Sequence, residues 1–285
     1  MRQNFFIIIT ALLLCLGGCE NTDVWLATEA GIEAVTAFTL SDEAVQELAK
    51  SSAAYIDQEH TVASPDNEYA QRLERLVGGH QTEDGIMFNY KVYLDDTVNA
   101  FAMADGTIRI YSGLMNMLDD GGLRFVIGHE MGHVIKEHIR QKMQLAYAAS
   151  AIRKGIASQN STLGDLARSQ LGGFAELLLG SQFSQLEEKI ADDYGLNFLK
   201  KKEYNPKDAV SALRKLATLG ANHSFLSSHP DPDKRADRLE LQIQGKALPI
   251  EKTSKNIIEK ILTSLHQWFV WLSEYLQTLF SRMTQ

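Results

Sequence analysis

The sequence predicts an α+β fold, mainly helical, with a small antiparallel sheet packed on a helical body. Three observations carry that expectation. Apolar residues recur at helical spacing in successive segments, Val45, Leu48, Ala53 and Ile56 in one and Tyr69, Leu73 and Leu76 in the next. "FNYKVYLDD" instead alternates Phe88, Tyr90, Val92 and Leu94, the period of a strand. "VNAFAMADGTIRIYSG" then reads as two strands joined by Asp105-Gly106, a pair suited to the left-handed backbone of a tight hairpin.

The helices follow in order. Ser41 caps the first, with Asp42 and Glu43 in its opening turn, and Pro65 opens the second. Residues 123–144 form a helix containing "FVIGHEMGHVIKEH". Residues 146–182 are rich in Ala, Ser and Gly and read as loosely ordered helices and loops, a candidate lid over a cleft. A long helix is expected over 175–201, another from Pro206, and a last one after the turn in "SSHPDPDKRADRLELQ".

Both ends are set apart from this body. Arg2, the apolar run "FFIIITALLLCL" and "LGGC" make residues 1–18 a lipoprotein signal, with Cys19 as the lipidated residue and 19–36 a tether. Glu20 suits transfer to the outer membrane, facing the periplasm of a Gram-negative cell. Cys15 leaves with the signal, so no thiol remains for a disulfide and the domain, 37–247, is held by its core and any metal. Residues 248–285 form an amphipathic helix with Trp268, Phe269 and Trp271. Glu259, Lys260, His266 and Glu274 make it too charged to span a bilayer, leaving the membrane surface or the domain itself as its seat. The formal net charge is −8 and no basic run tracks a phosphate backbone, which argues against nucleic acid as a partner.

The chemistry lies in "HEMGH". His129 and His133, four apart, project from one helix face and can share a metal, while Glu130 reaches a water there without occupying the metal. Gly128 and Gly132 leave one side of the helix bare, where something must approach closely. A catalytic zinc takes three protein ligands, and the pair Glu188 and Asp192, at i, i+4 in "SQLEEKIADDYG", supplies the third and a carboxylate to orient a histidine. Glu187 and Asp193 read as solvated charges. His60, His80 and His223 lack supporting context, and His138 falls off the face.

"IGHEMGHV", "SQFSQLEEKIADDYG", "SSHPDPDKRADRL" and "VNAFAMADGTIRIYSGL" together resemble the HtpX-like family of zinc metallopeptidases, in its periplasmic lipoprotein branch, over residues 37–244. The resemblance implies a zincin-like fold, one zinc per chain on His129, His133 and Glu188, and Glu130 as the catalytic glutamate. It puts Asp192 in the second-helix motif and His229 near the metal, where it stabilises an oxyanion, latches the zinc or shapes a turn. Arg235 matches an arginine read as structural. Asn99, Ala100, Phe101 and Ala102 match an edge strand beside the cleft, where an extended substrate adds its backbone. Gly122 stands where the family has an acidic residue, so the helix start is expected to be less well capped, and Gln185 replaces an arginine.

The implied function is a zinc endopeptidase acting on misfolded or extended envelope proteins. Two rivals stay open: an assembly factor or chaperone with a latched or structural zinc, and a zinc hydrolase of cell-wall peptides.

Overall fold

Helix α1 (Asp42–Glu59) starts where Ser41 accepts the Ala44 N–H at 3.3 Å, and it buries Val45, Ala49, Ala53 and Ile56. The computed structural model describes residues 41–144, 146–147, 174, 177–220 and 223–248. The signal, Cys19, the tether and the C-terminal helix beyond residue 248 lie outside the described residues, as does most of the candidate lid.

Helix α2 (Glu68–Val77) begins later than Pro65 suggested. Asn67 caps it by accepting the Tyr69 N–H at 2.9 Å, and Leu73 and Leu76 are buried. A two-residue hairpin of β1 (Thr82–Glu83) and β2 (Ile86–Met87) turns through Asp84 and Gly85, with φ of 47° and 82°.

The main sheet has three strands, β3 (Asn89–Tyr93), β4 (Ala100–Ala102) and β5 (Thr107–Tyr111), in the order β3-β5-β4. β4 and β5 form the antiparallel pair that Asp105-Gly106 predicts, with Gly106 at φ 86°. β3 and β5, however, run parallel, so the sheet is mixed rather than antiparallel. The chain leaves β3, reverses through residues 94–99 to form the edge strand β4, and reverses again into the middle. Two reversals make β3 and β5 codirectional. Asp57 of α1 ties helix to sheet, accepting from Arg109 Nε at 2.7 Å and Nη2 at 3.0 Å, from Lys91 Nζ at 2.7 Å and from Tyr93 Oη at 2.7 Å.

After the short α3 (Ser112–Met117), helix α4 (Asp120–Ile135) runs through the core. Its start is well capped, contrary to the expectation from Gly122: Asp119 Oδ1 accepts the Gly122 N–H at 2.9 Å. Glu137 then takes a left-handed φ of 60° and breaks the helix, which resumes over 138–144. Helix α5 (Gln185–Lys201) starts ten residues later than predicted, because Ser184 and Glu187 close a capping box there. Helices α6 (Lys207–Ala217), α7 (Ser224–Ser228) and α8 (Pro232–Ile243) complete the body.

The contact of α4 with α5 positions the site, and the glycines make it possible. A Cβ on Gly132 would stand 2.9 Å from Tyr194 Cβ and 3.1 Å from Ala191 Cα, and one on Gly128 would stand 3.0 Å from the Phe198 ring. Only bare backbone allows the two helices to lie this close.

Candidate metal centre

Helix α4 presents His129 and His133 one turn apart, and α5 brings Glu188 and Asp192 to meet them. The turn after α7 adds His229. One ligand atom from each of His129, His133, Glu188 and His229 lies within 4.8 Å of the others, and all four residues are buried. His129 Nε2 and His133 Nε2 are 3.0 Å apart, His133 Nε2 is 3.3 Å from Glu188 Oε1, and His129 Nε2 is 3.7 Å from Glu188 Oε2. Donors about 2.0–2.1 Å from a tetrahedral zinc stand about 3.3 Å from each other. The observed separations straddle that value, so the donor set fits zinc.

Each histidine has a partner on its other face. Asp192 Oδ1 stands 3.0 Å from His129 Nδ1, which donates to it and leaves Nε2 as a lone pair facing the centre. His133 Nδ1 stands 3.0 Å from His138 Nδ1. An unbroken helix would carry His138 off the face. The left-handed Glu137 swings it back under His133.

Arg235, expected to be structural, joins the site. Its Nε and Nη2 hold Asp192 at 2.9 and 2.7 Å, and its Nη1 forms an ion pair with Glu188. Burial alone would raise both carboxyls. The Arg235 charge reverses this, holding Asp192 down at about 2 and, with the neighbouring histidines, Glu188 well below the carboxylate range. Burial pushes His133 well below the usual imidazole value, so it is a neutral donor. Metal binding requires these same deprotonated forms. Glu188 and Asp192 share the Arg235 guanidinium, Glu130 acts on it only through its charge, and a dication would balance the three carboxylates. Arg238 adds a more distant charge, 3.7 Å from Asp192.

Glu130 is 1% exposed, and its Oε1 lies 3.6 Å from His229 Nε2 without a hydrogen bond. His229 Nδ1 is 3.0 Å from Glu188 Oε1 and 3.4 Å from His129 Nε2. A cavity of about 20 Å³ sits here, lined by residues 99–102 together with Glu130, Lys142, Phe183 and His229. That is room for one water. Ala100, Phe101 and Ala102 are 1%, 7% and 6% exposed, so β4 is covered rather than open. Leu178, Leu179 and Phe183 complete the wall, and Phe183 stacks on His133 with ring centroids 3.8 Å apart.

The family model of peptidase family M48 matches residues 63–243. This chain belongs to peptidase family M48. The M48 chain is 38% identical over 242 residues to Metalloprotease LoiP of Escherichia coli (strain K12), a match spanning 84% of this chain and 96% of that protein. It is 37% identical over 244 residues to Metalloprotease YcaL of the same organism, with the same coverage, 84% and 96%. A more distant relative, the Beta-barrel assembly-enhancing protease of Yersinia pestis, is 29% identical over 160 residues, 52% of this chain and 33% of that one. The M48 chain is thus a zinc metalloendopeptidase with protein substrates.

The remaining histidines have local duties in this M48 domain. His60 stacks on Tyr93, His80 pairs with Glu83 at 3.3 Å, and His223 caps α7. Glu187 and Asp193 are not merely solvated: Glu187 closes the capping box and Asp193 binds Arg238 at 2.6 Å. Ser-x-x-Glu before an apolar run was a readable signal for the first of these.

Proposed function

We propose that this M48 chain is an envelope quality-control endopeptidase, anchored to the outer membrane through Cys19 and facing the periplasm, that cuts misfolded or extended proteins. His129, His133 and Glu188 hold the zinc, Asp192 orients His129, and Glu130 is the general base. The observation that carries the site reading is the buried Glu130 carboxylate, with an unpartnered oxygen, beside four converging donor groups.

Bound zinc supplies the Lewis acidity that makes water nucleophilic near neutral pH and polarises a peptide carbonyl. Glu130 takes the proton of the attacking water and hands it to the leaving amine. His229, within reach of Glu130 and Glu188, donates to the oxyanion that develops. The backbone of β4 lines up an extended substrate once the wall of Leu178, Leu179 and Phe183 gives way. Reading backbone rather than side chains suits loosely folded clients.

One observation favours a second reading, an assembly factor with a latched zinc. His229 makes a fourth buried donor, and a site closed by four protein ligands is structural rather than catalytic. Crosslinking of Glu130→Gln chains in cells tests both readings. The quality-control reading expects the variant to trap unfolded envelope proteins that accumulate uncut, and Cys19→Ser to release the protein from the membrane. Clients assembled normally by the variant would favour the second reading.

A further inference from the structure

Lys142 lines the same small cavity as Glu130, His229 and residues 99–102, yet no step described above uses it. Its stem belongs to the short helical run after the Glu137 break, and its ammonium lies over the Phe183 ring, 4.0 Å from the centroid. Among the described residues no carboxylate stands within ion-pair distance of Nζ; Glu130, Glu188 and Glu187 act on it only through their charge. Among the described residues, Lys142 is also the one lysine or arginine lining this cavity. A cation–π contact is a modest partner for a desolvated ammonium. We propose that Lys142 forms a carboxylate-binding subsite of the peptidase, selecting substrates that carry an acidic group next to the scissile bond.

Three features favour a carboxylate as the ligand. An ammonium drawn out of water with no carboxylate beside it among the described residues is costly, and burial draws Lys142 down to about 8. An incoming carboxylate supplies the missing charge. Among the described residues the cavity walls otherwise offer backbone, apolar side chains, the Asn99 amide, the Ser228 hydroxyl and the His229 imidazole, with Glu130 committed to the reacting centre, so Lys142 is the full cation there that tells an acidic substrate residue from its neutral isostere. The Phe183 contact also couples recognition to opening. The cavity has room for only one water, so a substrate enters as its wall moves, and once Phe183 shifts the ammonium exchanges an aromatic face for the carboxylate.

The inference rests on the peptidase reading, but binding tests it separately from cleavage. The probes are extended peptides identical except for Glu or Gln beside the central bond, and a second pair ending in a free carboxylate or an amide. Affinities are measured on full-length Glu130→Gln, alone and with Lys142→Met or Lys142→Arg. The expected result is a preference of about tenfold for the acidic member of one pair, retained by Lys142→Arg and reduced to near parity by Lys142→Met. A preference in the Glu/Gln pair assigns the subsite to side chains, and one in the acid/amide pair assigns it to chain ends. Parity in the Lys142 parent, or a preference that survives Lys142→Met, overturns the proposal. Wild type that binds with this preference but cuts none of the peptides would count against the peptidase reading and leave the subsite standing.

Discussion

Arg235 and Asp192 meet in a two-point contact at the floor of the site, Nε to Oδ2 at 2.9 Å and Nη2 to Oδ1 at 2.7 Å, while the same Oδ1 accepts from His129. The guanidinium thereby fixes the carboxylate that fixes the ligand. Its removal leaves Asp192, fully buried, and Glu188 without their nearest cation. Arg235→Met should lower folding stability by about 3–5 kcal/mol in the metal-free protein, and by less with zinc bound, since the dication offsets the same carboxylates. Urea unfolding with and without zinc measures both numbers. Equal losses in the two forms would mean that metal and Arg235 do not share those charges.

His138 should tune zinc binding without touching zinc. Its Nδ1 is 3.0 Å from His133 Nδ1, so it accepts the proton that keeps His133 Nε2 free for metal. His138→Phe should weaken zinc affinity by about 10–100-fold in a chelator competition, with His138→Gln recovering part of the loss. Unchanged affinity in the phenylalanine variant would show that His133 holds its tautomer unaided.

Gly132 is required by the α4–α5 contact rather than by its backbone angles. Gly132→Ala gains helix propensity of about 1 kcal/mol but puts a methyl 2.9 Å from Tyr194 Cβ. The clash should win, with a net loss of about 1–3 kcal/mol and weaker zinc binding, because the two helices carry ligands on either side of the centre. A variant more stable than wild type, by thermal or urea unfolding, would contradict this packing.

Acid should expose the Asp57 network. Arg109, Lys91 and Tyr93 outweigh burial and hold the Asp57 carboxyl down at about 2, below its ordinary value of 3.8. A carboxyl depressed on folding contributes stability above its unfolded value and loses it as pH falls through the folded one. The contribution is therefore full above about pH 5 and fades between about pH 4 and 2. Allowing for partial exposure, Asp57→Asn should cost about 1–2 kcal/mol at pH 6. In metal-free samples unfolded by urea, that difference should shrink as pH is lowered toward 3. A pH-independent difference would mean that the carboxylate charge is not what binds α1 to the sheet.

Local chemistry in the sequence foretold the elements that local chemistry determines. The spacing of His129 and His133, the register of Glu188 with Asp192, the Asp105-Gly106 turn and the helix after Pro206 all stand where expected. Signals of the same kind stand at Ser184 with Glu187, at Asp119 and at Asp84-Gly85, which cap two helices and turn a hairpin. Other features had no local signature. Alternation in β3 marks a strand but not its partner, so its parallel pairing with β5 appeared only in three dimensions. A left-handed glutamate at 137 is not written in Gly or Asn, which hid His138. The place of Arg235 depends on α8 folding back against α5.

The most direct test compares full-length wild type with Glu130→Gln for zinc content and for cleavage of an unfolded protein. The substitution keeps the shape of a side chain that lies beside the metal donors without belonging to them. Both proteins should hold about one zinc per chain, and only wild type should cut. Cleavage by Glu130→Gln at the wild-type rate would remove the general base from the account, and zinc-loaded wild type that cuts nothing would show a site closed by His229 rather than a working peptidase.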